Sequence, residues 1–367
     1  MEPNILLNAL IHEAGMSRAG LATRINRLGH NSGKPTRYDH TSVGRWMKGQ
    51  RPRGYVPEII CELLSERLSR RITLEDIGMG RPDSTHGAPL SGFIARATAL
   101  WRSDQEGRDL TDTPLIAGLN AVAPVWEWEN PPDDTDVSRP SGPRVGAEDV
   151  TMLRTARRHY ESMYRQVGGV TTRVRVVRFL VEHTVPLLRG SYSDRTGRNL
   201  FRAAGGLAAI AGLCGYDSDA HGLAQRYFHQ ALRLAKASSD RRFGGYVVAL
   251  LVNQAMFLRE YRQAIGFAEA GLRSAGSHIS PALRTDLFVM QAKAFAGMKA
   301  VRDAHHCMAL AEQTATRIRR EDEPPETEYM QPGLLEAQLA EALISLGDLE
   351  PAREYAEEAV RAQGVSS

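Results

Sequence analysis

Apolar residues recur at helical spacing along most of the chain. Near the start, Ile5, Leu6, Ala9 and Leu10 line one side of a helix that Gly15 closes. Ser17 is placed to cap a second helix, with Leu21, Ala22, Ile25 and Leu28 on its buried face and Gly29 at its end. Residues 30–39, rich in Gly, Ser, Pro and Asn, predict a loop. A short helix then runs from a Ser/Thr start at Thr41 and Ser42 to a Gly49-Gln50-Arg51-Pro52 stop, with Val43, Trp46 and Met47 on one side at i, i+3 and i+4. Ile59, Ile60, Leu63, Leu64 and Leu68 give a further helix over 57–70, and Ile72 to Ile77 completes a small all-helical domain, 1–80.

Composition shifts to Pro, Gly, Ser and His over 81–89, and to Pro and Asp over 130–146, so 81–146 reads as a linker with a partly helical docking segment. Within it Phe93 to Arg102 fits a helix, while Val122 to Trp128 fits a short strand or an irregular docking piece. From 147 to 367 the pattern is helical and repeats. Ala224-x3-Phe228-x2-Ala231 recurs as Ala264-x3-Ala268-x2-Gly271, Ala304-x3-Met308-x2-Ala311 and Ala352-x3-Ala356-x2-Ala359, at intervals of 40, 40 and 48 residues. Small residues at these offsets let one helix nest on its neighbour, as in the second helix of a tetratricopeptide repeat, although that unit spans only about 34 residues. A plain alanine-rich helical bundle is the alternative, and both give an all-α body. Insertions at 274–281 and 319–331 are expected in loops.

Composition adds an ordinary globular balance, 42% hydrophobic and 24% charged, in a chain of 367 residues that is too long for one core. Cys61, Cys214 and Cys307 lie far apart, which argues for buried thiols rather than a disulfide framework or a zinc site. The N-terminus lacks a basic segment followed by an apolar stretch, and no apolar run reaches the roughly 20 residues of a bilayer span, so a cytoplasmic protein without membrane partners is expected.

The overall net charge, +3, hides a strong asymmetry. Between Gly15 and Pro57 nine basic residues stand against the single acid Asp39, so the rest of the chain is net acidic. Such a compact basic region is the footprint of a polyanion-binding module. The helices at 17–28 and 40–48 have the order of a helix-turn-helix, whose second helix enters the major groove. Arg45 is the candidate for bidentate reading of a guanine edge, and Thr41 and Ser42 for bases or phosphates. Lys34, Arg37, Lys48, Arg51 and Arg53 are expected on phosphates, and Ser17 and Arg18, at the start of the first helix of the motif, complete the set.

Residues 1 to about 80 resemble the DNA-binding domain of Xre-type helix-turn-helix regulators, on Ser42-Val43-Gly44-Arg45-Trp46-Met47-Lys48-Gly49-Gln50-Arg51-Pro52-Arg53 and Ile72-Thr73-Leu74-Glu75-Asp76-Ile77-Gly78. With His221-Gly222-Leu223-Ala224-Gln225-Arg226-Tyr227-Phe228, the whole chain resembles the actinobacterial, Streptomyces-type branch that adds tetratricopeptide-like repeats. The resemblance implies a lambda-repressor-like domain, transcriptional regulation at the nucleoid, and a helical body used for dimerisation or for sensing a peptide or small molecule. One departure is the 29–39 segment, longer than the usual tight turn.

The expected function is a homodimeric, sequence-specific transcriptional regulator on a two-fold-related double-stranded DNA operator; an interaction scaffold with auxiliary DNA binding is the alternative. No catalytic constellation, cofactor or metal site is expected, since His305-His306-Cys307 are neighbours that point apart on a helix. Aligning the first helices of the repeats puts Asn253, Lys293 and Glu341 in one column, the candidate effector-binding or peptide-binding surface, or else simply solvated helix positions.

Overall fold

The computed structural model describes residues 4–31, 36–52, 54–68, 72, 74, 77–79, 90–107 and 113–364. The chain is all-α, and among the described residues two isolated bridges, Arg139 to Tyr192 and Arg144 to Ser191, are the whole of its β structure. It forms two compact units, Met1–Ser84 and Thr85–Ser367.

The first unit holds α1 (Ile5–Glu13), α2 (Arg18–Asn31), α3 (His40–Met47) and α4 (Val56–Leu68). Leu7, Leu21, Ile25, Val43, Ile60 and Leu64 are sealed in its core, where Trp46 also packs. The side chain of Asn4 closes this unit at one end: its oxygen accepts from Leu7 N at 2.9 Å and its amide donates to Ile77 O at 2.9 Å. Much of the expected closing segment 72–77 lies outside the described residues.

The second unit begins with α5 (Leu90–Gln105) and α6 (Leu119–Glu129). The long run α7 (Ala147–Phe179) breaks at Gly168 (φ 77°, ψ 177°), where Asp217 Oδ2 accepts from Gly169 N at 2.6 Å. After a π turn and the short α8 (Val185–Leu188) come four helix pairs: α9 (Asp194–Asp217) with α10 (His221–Ser238), α11 (Arg241–Phe257) with α12 (Tyr261–Ala275), α13 (Pro281–Gly297) with α14 (Val301–Ala315), and α15 (Leu334–Leu346) with α16 (Leu349–Gly364). No helix among the described residues is long and apolar enough to cross a membrane.

One turn joins the two helices of every pair. Asp219, Arg259, Lys299 and Gly347 each adopt a positive φ of 60°, 60°, 61° and 98°. The next residue donates its N–H back five positions: Ala220 to Gly215, Glu260 to Ala255, Ala300 to Phe295 and Asp348 to Leu343, each at 2.9 to 3.0 Å. This is the Schellman closure of a helix C-terminus. The first alanine of each sequence motif follows the left-handed residue by five positions, so the motif and the turn repeat together. Ala224, Ala264, Ala304 and Ala352 are all buried, and in the first pair the Phe228 ring sits where a Cβ on Gly212 would meet it at 2.5 Å. In α16 the middle position, Ala356, is exposed.

The segment 113–146 differs from the linker and strand expected of it. Val122 to Trp128 lies in a helix, α6, and α5 and α6 belong to the same core as the repeat body. Trp101 and Trp128 are fully buried, at about 5 kcal/mol each if roughly 200 Å² of indole leaves water. The Trp128 indole lies so close to Gly244 that a Cβ there would stand 2.1 Å from its Nε1. Two of the three acids that gave 130–146 its linker-like composition are ion-pair partners: Asp134 takes both ends of the Arg233 guanidinium at 2.7 and 2.8 Å, and Asp133 lies 3.2 Å from Arg241. Ile116 exchanges two hydrogen bonds with Gln225, at 2.7 and 3.1 Å.

Three of the four left-handed turn residues carry a side chain, at a cost of about 1–2 kcal/mol each relative to glycine. Arg259 is exposed. Arg259→Gly is therefore expected to stabilise the body by about 0.5–1 kcal/mol after the added unfolded-state entropy is subtracted. Urea unfolding measures it, and an unchanged or lower midpoint would contradict the role given to this turn.

Candidate nucleic-acid interface

The sequence places α3 through an aspartate cap. Asp39, not Ser or Thr, is the N-cap, and its Oδ1 accepts from Ser42 N and Ser42 Oγ, both at 2.8 Å. These bonds from Ser42 hold the Asp39 carboxyl below its usual range. Ser42 is accordingly buried and committed to the cap, which removes it from the expected base-reading set in this conformation.

Away from Val43 and Trp46, α3 and its C-cap expose Thr41, Arg45 and Lys48 at i, i+4 and i+7. The Arg45 guanidinium reaches Ser42 Oγ at 3.4 Å, and its side chain is exposed. Arg37 is exposed just before the helix, and Arg24 and Arg27 are exposed on α2. Ser17 caps α2, its Oγ accepting from Gly20 N at 3.0 Å, and a Cβ on Gly44 would lie 3.8 Å from the guanidinium of Arg18. Arg18 thus joins the edge of α3. Arg51 is partly spent, because its guanidinium donates to Met79 O and ties down the end of the unit. Lys34 and Arg53 lie outside the described residues.

Pattern reading left open how the long loop presents α3. Asn26, on α2, supplies the answer. Its Oδ1 accepts from Tyr38 N at 2.9 Å and Thr36 Oγ1 at 3.0 Å, and its amide donates to Tyr38 O at 2.8 Å. The Tyr38 ring then packs edge-on against Trp46, with centroids 5.0 Å apart. One asparagine therefore fixes the last residues of the loop against the helix before it. A polar residue one position after the buried Ile25 was the sequence signal for this, and it is a weak one.

In the second unit the expected column separates. Lys293 Nζ pairs with Glu341 Oε2 at 2.6 Å, so these two neutralise one another. Asn253 instead lines a cavity of about 430 Å³ with Tyr164, Tyr246, Met290 and Asp286. Asp286 Oδ2 accepts from Tyr329 Oη at 2.7 Å, while its buried Oδ1 has no partner. Burial pushes the Asp286 carboxyl up to about 6, against the opposing pull of the Tyr329 bond and Lys293. The three cysteines are buried and form no disulfide, with Cys214 pushed up to about 12 and Cys307 to about 11 by burial.

Residues 7–80 match the family described as the SP15 N-terminal domain. The match covers the first compact unit and stops short of the helical body. No curated protein and no solved structure matches the chain.

Two measurements follow from these sites. Asn26→Ala, which removes three hydrogen bonds, is expected to destabilise the first unit by about 1–3 kcal/mol and to weaken any ligand held by α3. Full retention of both stability and binding would contradict the clamp. Asp286 keeps its proton in the folded state up to about pH 6 but loses it near 3.8 when unfolded. Its contribution is thus favourable at low pH and is lost as pH rises towards 6. Asp286→Asn should gain on the natural chain by up to about 3 kcal/mol between pH 4 and pH 7 in urea unfolding; a constant difference would refute the shift.

Proposed function

We propose that the chain is a sequence-specific DNA-binding transcriptional regulator, acting as a homodimer on a two-fold-related operator. The observation that carries this reading is the exposed stripe Thr41, Arg45 and Lys48 on a short helix whose other side, Val43 and Trp46, is locked in the core. Arg18 and Arg37 flank the stripe, and the nearby Asp39 is taken up by its cap. A basic, rigidly presented helix behind a capped helix is the arrangement that fits a major groove. In this reading Arg45 reads a base edge, Thr41 a base or phosphate, and Arg18, Arg37 and Lys48 position the helix on phosphates.

The helical body is proposed to be tetratricopeptide-like, on its four pairs with one repeated turn. Its last pair leaves Ile344, Leu349 and Val360 largely exposed, which supports self-association through this end. One small module makes too few contacts for tight selection, so two copies are required. A protein whose place is on DNA works in the cytoplasm, at the nucleoid.

Selection of bound duplexes from a random pool should enrich one two-fold-related sequence. Arg45→Ala is expected to cost about 1–3 kcal/mol on that sequence and to relax the preference at one position in each half-site. Equal affinity of Arg45→Ala and the natural chain would overturn the reading. Failure to enrich any sequence would favour the interaction scaffold instead.

A further inference from the structure

A cavity of about 620 Å³ opens between α7 and α9 in the helical body and is dominated by arginine. Arg154, Arg157 and Arg158 come from α7, and Arg195, Arg198 and Arg202 from α9. Both sets recur at i, i+3 or i+4, so each helix turns one arginine-bearing face into the same space. Two carboxylates, Asp240 and Glu326, are the acids on its wall.

These six guanidinium groups divide by depth. Arg157 and Arg202 converge on Glu326 Oε1 at 3.5 and 2.6 Å, with Arg157 also on Glu161 at 2.9 Å and Arg202 on Asp240 at 2.8 Å. Burial penalises the Glu326 charge, but Arg202 and Arg157 outweigh it and hold the carboxyl below its usual range. Arg198 is held by Asp194 at 2.8 Å. The acids are therefore consumed by the inner three arginines. Arg154, Arg158 and Arg195 are exposed at the mouth and reach neutral oxygens at most, Arg154 on Asn199 Oδ1 at 2.6 Å and Arg158 on Thr155 Oγ1 at 3.3 Å.

Such a mouth carries a net positive charge that nothing in the fold requires. Arg154 and Arg158 stand one turn apart on one helix, a like-charge spacing that weakens a helix by a few tenths of a kcal/mol. A concave wall concentrates the field of these charges. Planar guanidinium forks match the paired oxygens of phosphate, and several forks around one cavity suit a ligand with more than one phosphate. The volume falls within the range of small-molecule sites and is too confined for a duplex.

We propose that this cavity binds a small molecule bearing two or more phosphate groups, of the nucleoside polyphosphate class, through Arg154, Arg158 and Arg195, with the ion-paired Arg157, Arg202 and Glu326 as its rigid floor. This assignment stands on the helical body alone and does not depend on the DNA reading. A lone sulfonate or carboxylate brings a single negative charge to the three guanidinium forks, whereas a diphosphate brings two or more.

Calorimetric titration of the full chain with sodium pyrophosphate and then with ATP tests it at physiological salt. Saturable binding of one ligand per chain is expected, weakened roughly tenfold or more in Arg154→Ala/Arg158→Ala/Arg195→Ala. That variant removes like-charge repulsion, so its melting temperature should stay level or rise, which separates loss of binding from loss of fold. Arg45→Ala/Lys48→Ala should bind both ligands as the natural chain does. The proposal is overturned if neither ligand saturates at millimolar concentration, if the triple variant binds unchanged, or if binding is lost in the α3 variant. It is equally overturned if the triple variant loses duplex DNA and not pyrophosphate.

Discussion

The helical body depends on one constraint, the left-handed residue that ends the first helix of each pair. It forces the chain to reverse within three residues, and the backward N–H bond closes the helix end that would otherwise leave carbonyls unsatisfied. The reversal sets the phase of the second helix, so that five residues later a small side chain faces the first. Alanine at Ala224, Ala264, Ala304 and Ala352 then permits close approach, and a larger residue there would push the pair apart.

The N-terminal unit obeys a different logic, one of polar clamps around a small core. Asn4 ties the first helix to Ile77, Asn26 ties the long loop to α2, and Asp39 starts α3. Each clamp satisfies several backbone groups with one side chain, which is how a short helix of few apolar contacts is held at a defined orientation. Rigid presentation matters for any groove reader, since a helix that wanders loses the hydrogen-bond geometry that distinguishes bases.

Much of this was legible in the sequence because helical periodicity and capping are local. The elements α1 to α5, the repeat spacing and the basic region all follow from residue patterns. What escaped was set by tertiary pairing. Asp133 and Asp134 look like linker residues until Arg233 and Arg241 arrive from a hundred positions away. Val122 to Trp128 fitted a short strand or an irregular docking piece, yet it lies on α6, where the Trp126 indole is exposed and the Trp128 indole is sealed against Gly244. Ser42 looked like an exposed reader because its neighbours are, while the cap at Asp39 turned it inward. Lys293 and Glu341 aligned as a column but neutralise each other across helices. The arginines of α7 and α9 had the required spacing; only packing revealed that the two faces share one cavity.

The proposed recognition of duplex DNA by the basic face of α3 is tested most directly by the salt dependence of affinity for a selected duplex. With three cations per chain on phosphates, Arg18, Arg37 and Lys48, and two chains on the operator, the logarithm of the association constant should fall against the logarithm of salt concentration with a slope of roughly −5. A slope near zero, or no duplex binding at low salt, would contradict it.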